Sequence, residues 1–116
     1  MRPVAWTIER YERDDGESPV ENFLATLPTK VRAKVWAAIS YLAEVGNQAV
    51  APMSKPLGQG LFELRVSLGR HEVRVLYAFR PAQRVVLLHS FLKKTQATPA
   101  RDLDTARSRL RELEGE

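Results

Sequence analysis

The residues of this chain with chemical potential are mostly cations. Between Arg65 and Lys94 stand Arg65, Arg70, Arg74, Arg80, Arg84, Lys93 and Lys94, with Glu72 as the lone acid. Seven bases against one acid give this stretch +6, while the whole chain of 116 residues carries only +4. The remainder is therefore slightly acidic. A positive field gathered on one element suits a polyanionic partner. The plainer alternative is a solvated sheet face with surface ion pairs, each worth about 0–1 kcal/mol. Pattern alone leans to the plainer reading, because a hairpin register with Leu68-Gly69 as its loop gives Arg65 and Arg74 carboxylate partners.

Much other chemistry is missing. The chain has no cysteine, so disulfide frameworks, the usual structural zinc sites and cysteine nucleophiles fall away together. His71 and His89 are the only histidines, and no zincin, calcium-loop or phosphate-loop spacing occurs. Gly58-Gln59-Gly60 precedes a strand pattern, so it is no dinucleotide fingerprint. An enzyme built from this inventory works with Lys, Arg, His and Tyr; no metal and no cofactor is implied. That set suits the cutting of RNA by its own 2′-hydroxyl. The step needs a base near the 2′-oxygen, cations for the phosphorane and an acid for the 5′-oxygen. A lysine set among arginines loses its proton more easily, and arginine grips phosphate oxygens in pairs.

Rigid elements must hold these side chains. In Leu61–Val66 the residues Phe62, Leu64 and Val66 alternate with Leu61, Glu63 and Arg65, a half-buried strand. In Arg70–Phe79 the residues Val73, Val75, Tyr77 and Phe79 share one face. Gly69 supplies the positive φ of a tight turn. A Leu68-Gly69 loop sets Leu64 opposite Val73, Arg65 opposite Glu72 and Glu63 opposite Arg74, apolar on apolar and acid on base. The run Arg84–Lys93 is almost continuously apolar, a strand covered on both faces.

The rest of the chain frames this meander. Val4–Arg10 reads as a first strand. Ser18-Pro19-Val20-Glu21 is a capping box that starts a short helix, ended at Pro28. A second helix carries Val31, Val35, Ala38, Ile39, Leu42 and Val45 in one stripe and stops at Gly46. Both helices should lie on one face of the sheet. Asn47–Gly60, with Pro52, Pro56, Gly58 and Gly60, reads as a loop carrying Lys55. Thr98 caps a last helix with Pro99 at its first position; its narrow stripe of Leu103, Ala106, Leu110 and Leu113 suits a sheet edge or a partner. These elements make residues 1–116 a single α+β domain: a twisted, mainly antiparallel four-strand sheet in the order β-α-α-β-β-β-α. With no apolar leader or membrane-length run, the expected location is cytoplasmic, with no membrane partner.

The blocks Gly60-Leu-Phe-Glu-Leu-Arg65, Glu72-Val-Arg-Val-Leu-Tyr77 and Leu88-His-Ser-Phe-Leu-Lys-Lys-Thr95, with Lys55-Pro-Leu before them and Thr98-Pro99 after, occur in the order of a known family. Over nearly its whole length the chain resembles the RelE/HigB toxin superfamily, in its phage-derived HigB-like "addiction module killer" branch. The resemblance implies a type II toxin that cleaves mRNA on the ribosome and inhibits translation. It implies a HigA-like helix-turn-helix antitoxin as partner, and contact with operator DNA only through that complex. It implies catalytic roles for Arg65, Arg74, Lys93, Tyr77 and His89, and RNA contacts for Lys55, Arg70, Phe91 and Lys94. Relatives often carry a tyrosine near the end of the last strand; here none follows Tyr77, and Phe91 and Thr95 stand in that neighbourhood. The same residues also have plain structural readings: Tyr77 and His89 as core groups, Arg65 and Arg74 as ion-pair partners. A basic nucleic-acid-binding module or co-repressor without catalysis explains the charge equally well.

Overall fold

The structure, a computed structural model, describes residues 5–115. Five strands make one sheet: β1 (Thr7–Arg10), β2 (Ser54–Gly58), β3 (Leu61–Leu68), β4 (His71–Arg80) and β5 (Arg84–Leu92). Their spatial order is β1-β5-β4-β3-β2; β1 runs parallel to β5 and every other pair is antiparallel. Helices α1 (Pro19–Ala25), α2 (Thr29–Val45) and α3 (Ala100–Glu114) complete the α+β fold. Val4, expected to open the first strand, lies outside the described residues.

The fifth strand corrects the expected count of four. Ser54–Gly58 sits in a stretch whose prolines and glycines signal a loop, yet it pairs with β3 from Ser54↔Leu64 to Gly58↔Leu61. Pro56 is tolerated because β2 is an edge, where a missing N–H costs no ladder bond on the open side.

Alternation sorts the side chains to two faces. Leu64, Val66, Val73, Val75, Tyr77, Val85 and Leu87 meet α1 and α2 in the larger core. There α1 lies over β5 and α2 over β3. The start of α1 is as the sequence indicates: Ser18 Oγ accepts from Glu21 N–H at 3.2 Å. Gly46 closes α2 at φ +54. A Cβ there would fall 2.0 Å from Trp6 Nε1, so only glycine lets Trp6 lie against the helix end.

The opposite face belongs to α3. Leu61, Leu76, Ala78, Val86, Leu88 and Phe91 pack with Ala106 and Leu110. The last helix therefore covers the sheet face over β5 and β4 rather than its edge. Its narrow stripe suffices because only part of that face is apolar. Thr98 does not cap it; Pro99 holds the cap position, and the Thr98 hydroxyl turns to Glu63 instead.

Two irregularities place the basic residues. The hairpin turn is Gly69-Arg70, so Leu64 faces Val75 and Arg65 faces Arg74, two residues away from the expected register. Between β4 and β5 the pairing passes from Tyr77↔Leu87 to Leu76↔His89, leaving Leu88 as a bulge. Beyond the bulge, His89 and Phe91 join Val86 and Leu88 on the α3 side.

A candidate cationic groove

At the end of the sheet that α3 leaves open, Arg65, Glu72, Arg74, Lys93, Lys94, Thr95 and Gln96 line a groove of about 590 Å³. The β3–β4 register sets Arg65 and Arg74 side by side on one face. The Lys93 N–H bonds to Glu72 O at 2.7 Å, which continues the β4–β5 ladder one step past β5 and fixes the segment that follows.

Arg74 is held from behind. Its side chain is 6% exposed, and Glu63, beside it, is 1% exposed. Arg74 Nε lies 3.6 Å from Glu63 Oε1, and Arg65 Nε lies 3.8 Å from the same oxygen. Thr98 Oγ1 donates to Glu63 Oε2 at 2.5 Å. Arg74 Nη1 donates to Val73 O at 3.0 Å and reaches Glu72 Oε2 at 3.4 Å. A buried arginine between two carboxylates keeps one orientation, which serves a fixed anion contact. The Arg74–Glu63 pairing expected from the sequence exists, but as a diagonal across the ladder. Glu72 faces Ser67, not Arg65, and Ser67 Oγ donates to its Oε2 at 2.5 Å. That hydroxyl, helped by Arg74 and Arg65, holds the Glu72 carboxyl below the ordinary carboxylate range.

The other expected site residues stand elsewhere. Tyr77 is fully buried on the α1/α2 side, its hydroxyl 2.5 Å from Ser54 Oγ, and burial raises its pKa. His89 has both ring nitrogens engaged: Nε2 lies 2.6 Å from Asp102 Oδ1 and Nδ1 lies 3.3 Å from Arg109 Nη1. A guanidinium only donates, so Nδ1 accepts and Nε2 carries the proton toward Asp102. Phe91 is buried, stacks on His89 with centroids 5.6 Å apart, and borders a neighbouring hollow that shares Lys94 and Thr95 with the groove. Arg70 is exposed in the hairpin turn, and Lys55 is exposed on β2 opposite Glu63; neither lines the groove. The structure thus brings together Arg65, Arg74, Lys93 and Lys94, and leaves Lys55, Arg70, Tyr77, His89 and Phe91 outside.

Glu63, Thr98, Ser67 and Gln96 are groove or support residues that the sequence reading did not single out for chemistry. Glu63 offered a signal: an acid in mid-strand on the basic side of the alternation. Thr98 resembled a helix cap and gave none. Among the described residues, no cluster of three or more His, Cys, Asp or Glu is arranged to hold a metal ion.

Four cations against the half-buried Glu72 and the buried Glu63 leave this end of the sheet net positive. Fold and groove together define an α+β domain able to grip a chain of phosphates. The chain belongs to the Phage derived protein Gp49-like (DUF891) family, whose model matches residues 22–111. That span contains every groove residue, and the family is associated with toxins of toxin–antitoxin systems. No curated protein matches the chain.

Proposed function

We propose that this protein is the toxin of a type II toxin–antitoxin pair and cleaves mRNA on the ribosome without a metal. One observation carries the reading: Arg65, Arg74, Lys93 and Lys94, from β3, β4 and the segment after β5, converge on one groove in a member of a toxin-associated family. RNA enters with its phosphates against the two arginines. Arg74, pre-aimed by Glu63 and Glu72, stabilises charge on the phosphorane as the 2′-oxygen attacks. Lys93 and Lys94 border the same groove and supply the proton-transferring groups. Tyr77 and His89 act from behind, as supports of the sheet and of α3. Translation in the cytoplasm is the target. A helix-turn-helix antitoxin is the partner, and operator DNA is met only through that complex.

A second reading has an observation of its own. Tyr77 and His89, both expected to act in catalysis, are already engaged inside the fold. This favours a binder or co-repressor that grips RNA or the antitoxin without cutting. Induced expression followed by mapping of mRNA 5′ ends separates the two. New ends within translated messages, lost with Lys93→Ala, support the nuclease. Intact messages alongside arrested growth support the binder.

A further inference from the structure

A second hollow, of about 480 Å³, adjoins the groove around the free edge of β3. That volume is typical of small-molecule sites, about 300–1,000 Å³. Its walls are of another kind: Ala38, Pro52, Met53 and Val66 make it apolar. It shares Arg65, Glu72 and Arg74 with the cationic groove, so one ligand can occupy both.

The polar groups at this hollow form a pattern. Arg65 N–H donates to Met53 O at 2.8 Å, and β2 begins at Ser54, so β3 has no strand partner on that side beyond Arg65. Strand alternation turns the N–H and C=O of Ser67 to the same open side. The Ser67 carbonyl takes the Lys34 ammonium, which leaves its N–H as an outward donor. Close by, Ser67 Oγ and Arg74 Nη1 both contact Glu72 Oε2, and Glu72 Oε1 has no partner among the described residues. A glutamate carboxyl is ionised at neutral pH, so this oxygen is an acceptor. Ser67, with a backbone donor, and Glu72, with a carboxylate acceptor, thus line the same hollow as Ala38, Pro52, Met53 and Val66.

Among the four RNA bases, only guanine sets two adjacent N–H donors next to a carbonyl acceptor on its pairing edge. We propose that this hollow binds a guanine base of single-stranded RNA, with Glu72 accepting from its N–H groups, Ser67 N–H donating to its O6, and the attached phosphate in the neighbouring groove. Apolar and aliphatic walls take the faces of the ring, as in other sites for splayed-out bases. The inference rests on the RNA reading of the groove and adds the base that is recognised.

The test is a titration of the intact protein with short 2′-O-methyl oligouridines, which cannot be cut. One carries a central guanine, one a central adenine and one a central abasic residue. Backbone-amide NMR shifts are followed. The guanine oligomer is expected to move Met53 and Ser67 together with Lys93–Gln96, and to bind roughly tenfold tighter than the adenine one, the scale of a good carboxylate or amide contact to a base edge. The abasic oligomer should move only Lys93–Gln96. Ala38→Leu, which fills the hollow, should make the guanine oligomer behave as the abasic one. Glu72→Gln should remove the preference for guanine over adenine, and carries the test should Ala38→Leu not fold. Shifts confined to Lys93–Gln96 with every oligomer overturn the guanine site and leave the RNA groove standing. Equal affinity for guanine and adenine overturns it as well. No shift at either set overturns both.

Discussion

The sheet carries arginines at both ends, and the two ends differ in what surrounds them. At the α3-covered end, Arg84 donates to Pro81 O at 2.7 Å and meets Glu9 at 3.3 Å, Arg80 donates to Leu113 O, and Arg10 meets Glu21 at 2.8 Å. A hollow of about 350 Å³ there has Glu9 and Glu12 among its walls. At the open end Arg74 is braced by Glu63 and Glu72, but Lys93 and Lys94 have no carboxylate within 4.0 Å among the described residues, and Arg65 reaches one only at 3.8 Å. A count of charge along the chain treats these ends alike. What separates them is whether each cation already has an acceptor. An arginine whose donors are taken holds structure together, while one that keeps a donor, as Arg74 keeps Nη2, or a lysine facing solvent is free for a ligand.

The largest effect expected from breaking this contrast concerns Glu63. Glu63→Ala leaves Arg74 buried without its inner carboxylate, and should cost about 3–5 kcal/mol in urea unfolding. The double change Glu63→Leu with Arg74→Met should recover most of that stability, since apolar replacement of a buried pair is often neutral. It should not recover activity. A loss below about 1 kcal/mol for the single change would place the pair among ordinary surface bridges.

Next comes the contrast itself. Lys93→Ala should lower ribosome-dependent cleavage roughly 100-fold with an unchanged melting temperature. Arg84→Ala should leave cleavage close to wild type, because its partners, Pro81 and Glu9, lie away from the groove. Equal losses in the two variants would erase the distinction between the ends.

Tyr77→Phe should cost about 1 kcal/mol, by leaving the Ser54 hydroxyl unpaired in the core, and should leave cleavage intact. A large loss of cleavage with little loss of stability would return Tyr77 to the chemistry.

The smallest effect sharpens the groove's electrostatics. Ser67 is the main cause of the lowered Glu72 pKa. A carboxyl with a depressed folded pKa stabilises the fold above its unfolded value, and that contribution fades as pH falls through the folded value. Ser67→Ala should therefore raise the Glu72 titration midpoint toward the usual carboxylate range, read by carboxyl carbon NMR against pH. An unmoved midpoint would assign the shift to the arginines instead.

Alternation made the division of side chains between the sheet's faces legible in the sequence. Leu64, Val73 and Tyr77 fall on the same side in the expected register and in the observed one, because the two differ by an even step. For that reason hydrophobic pattern could not choose between them. The acid-on-base argument chose wrongly, since Glu63 reaches Arg74 diagonally. The helix starts and stops at Ser18 and Gly46 were legible through local capping chemistry. The bulge at Leu88 was not, because an unbroken apolar run shows no slip in phase. Nor was β2, where Pro56 and the flanking glycines argue for a loop and only the edge position permits a strand. The groove was half legible. Arg65, Arg74, Lys93 and Lys94 stand out by charge, whereas the burial of Glu63 and the turn of Thr98 toward it arise only from tertiary packing.

The parallel pairing of β1 with β5 has a consequence in time. Thr7–Arg10 is made before every other described element, yet its neighbour in the sheet is Arg84–Leu87. During synthesis this strand waits without a partner while most of the chain is still to come. Contacts so distant along the chain close slowly, since loop entropy must be overcome before any bond is gained. Each new molecule therefore closes its sheet only after Arg84–Leu87 has been made.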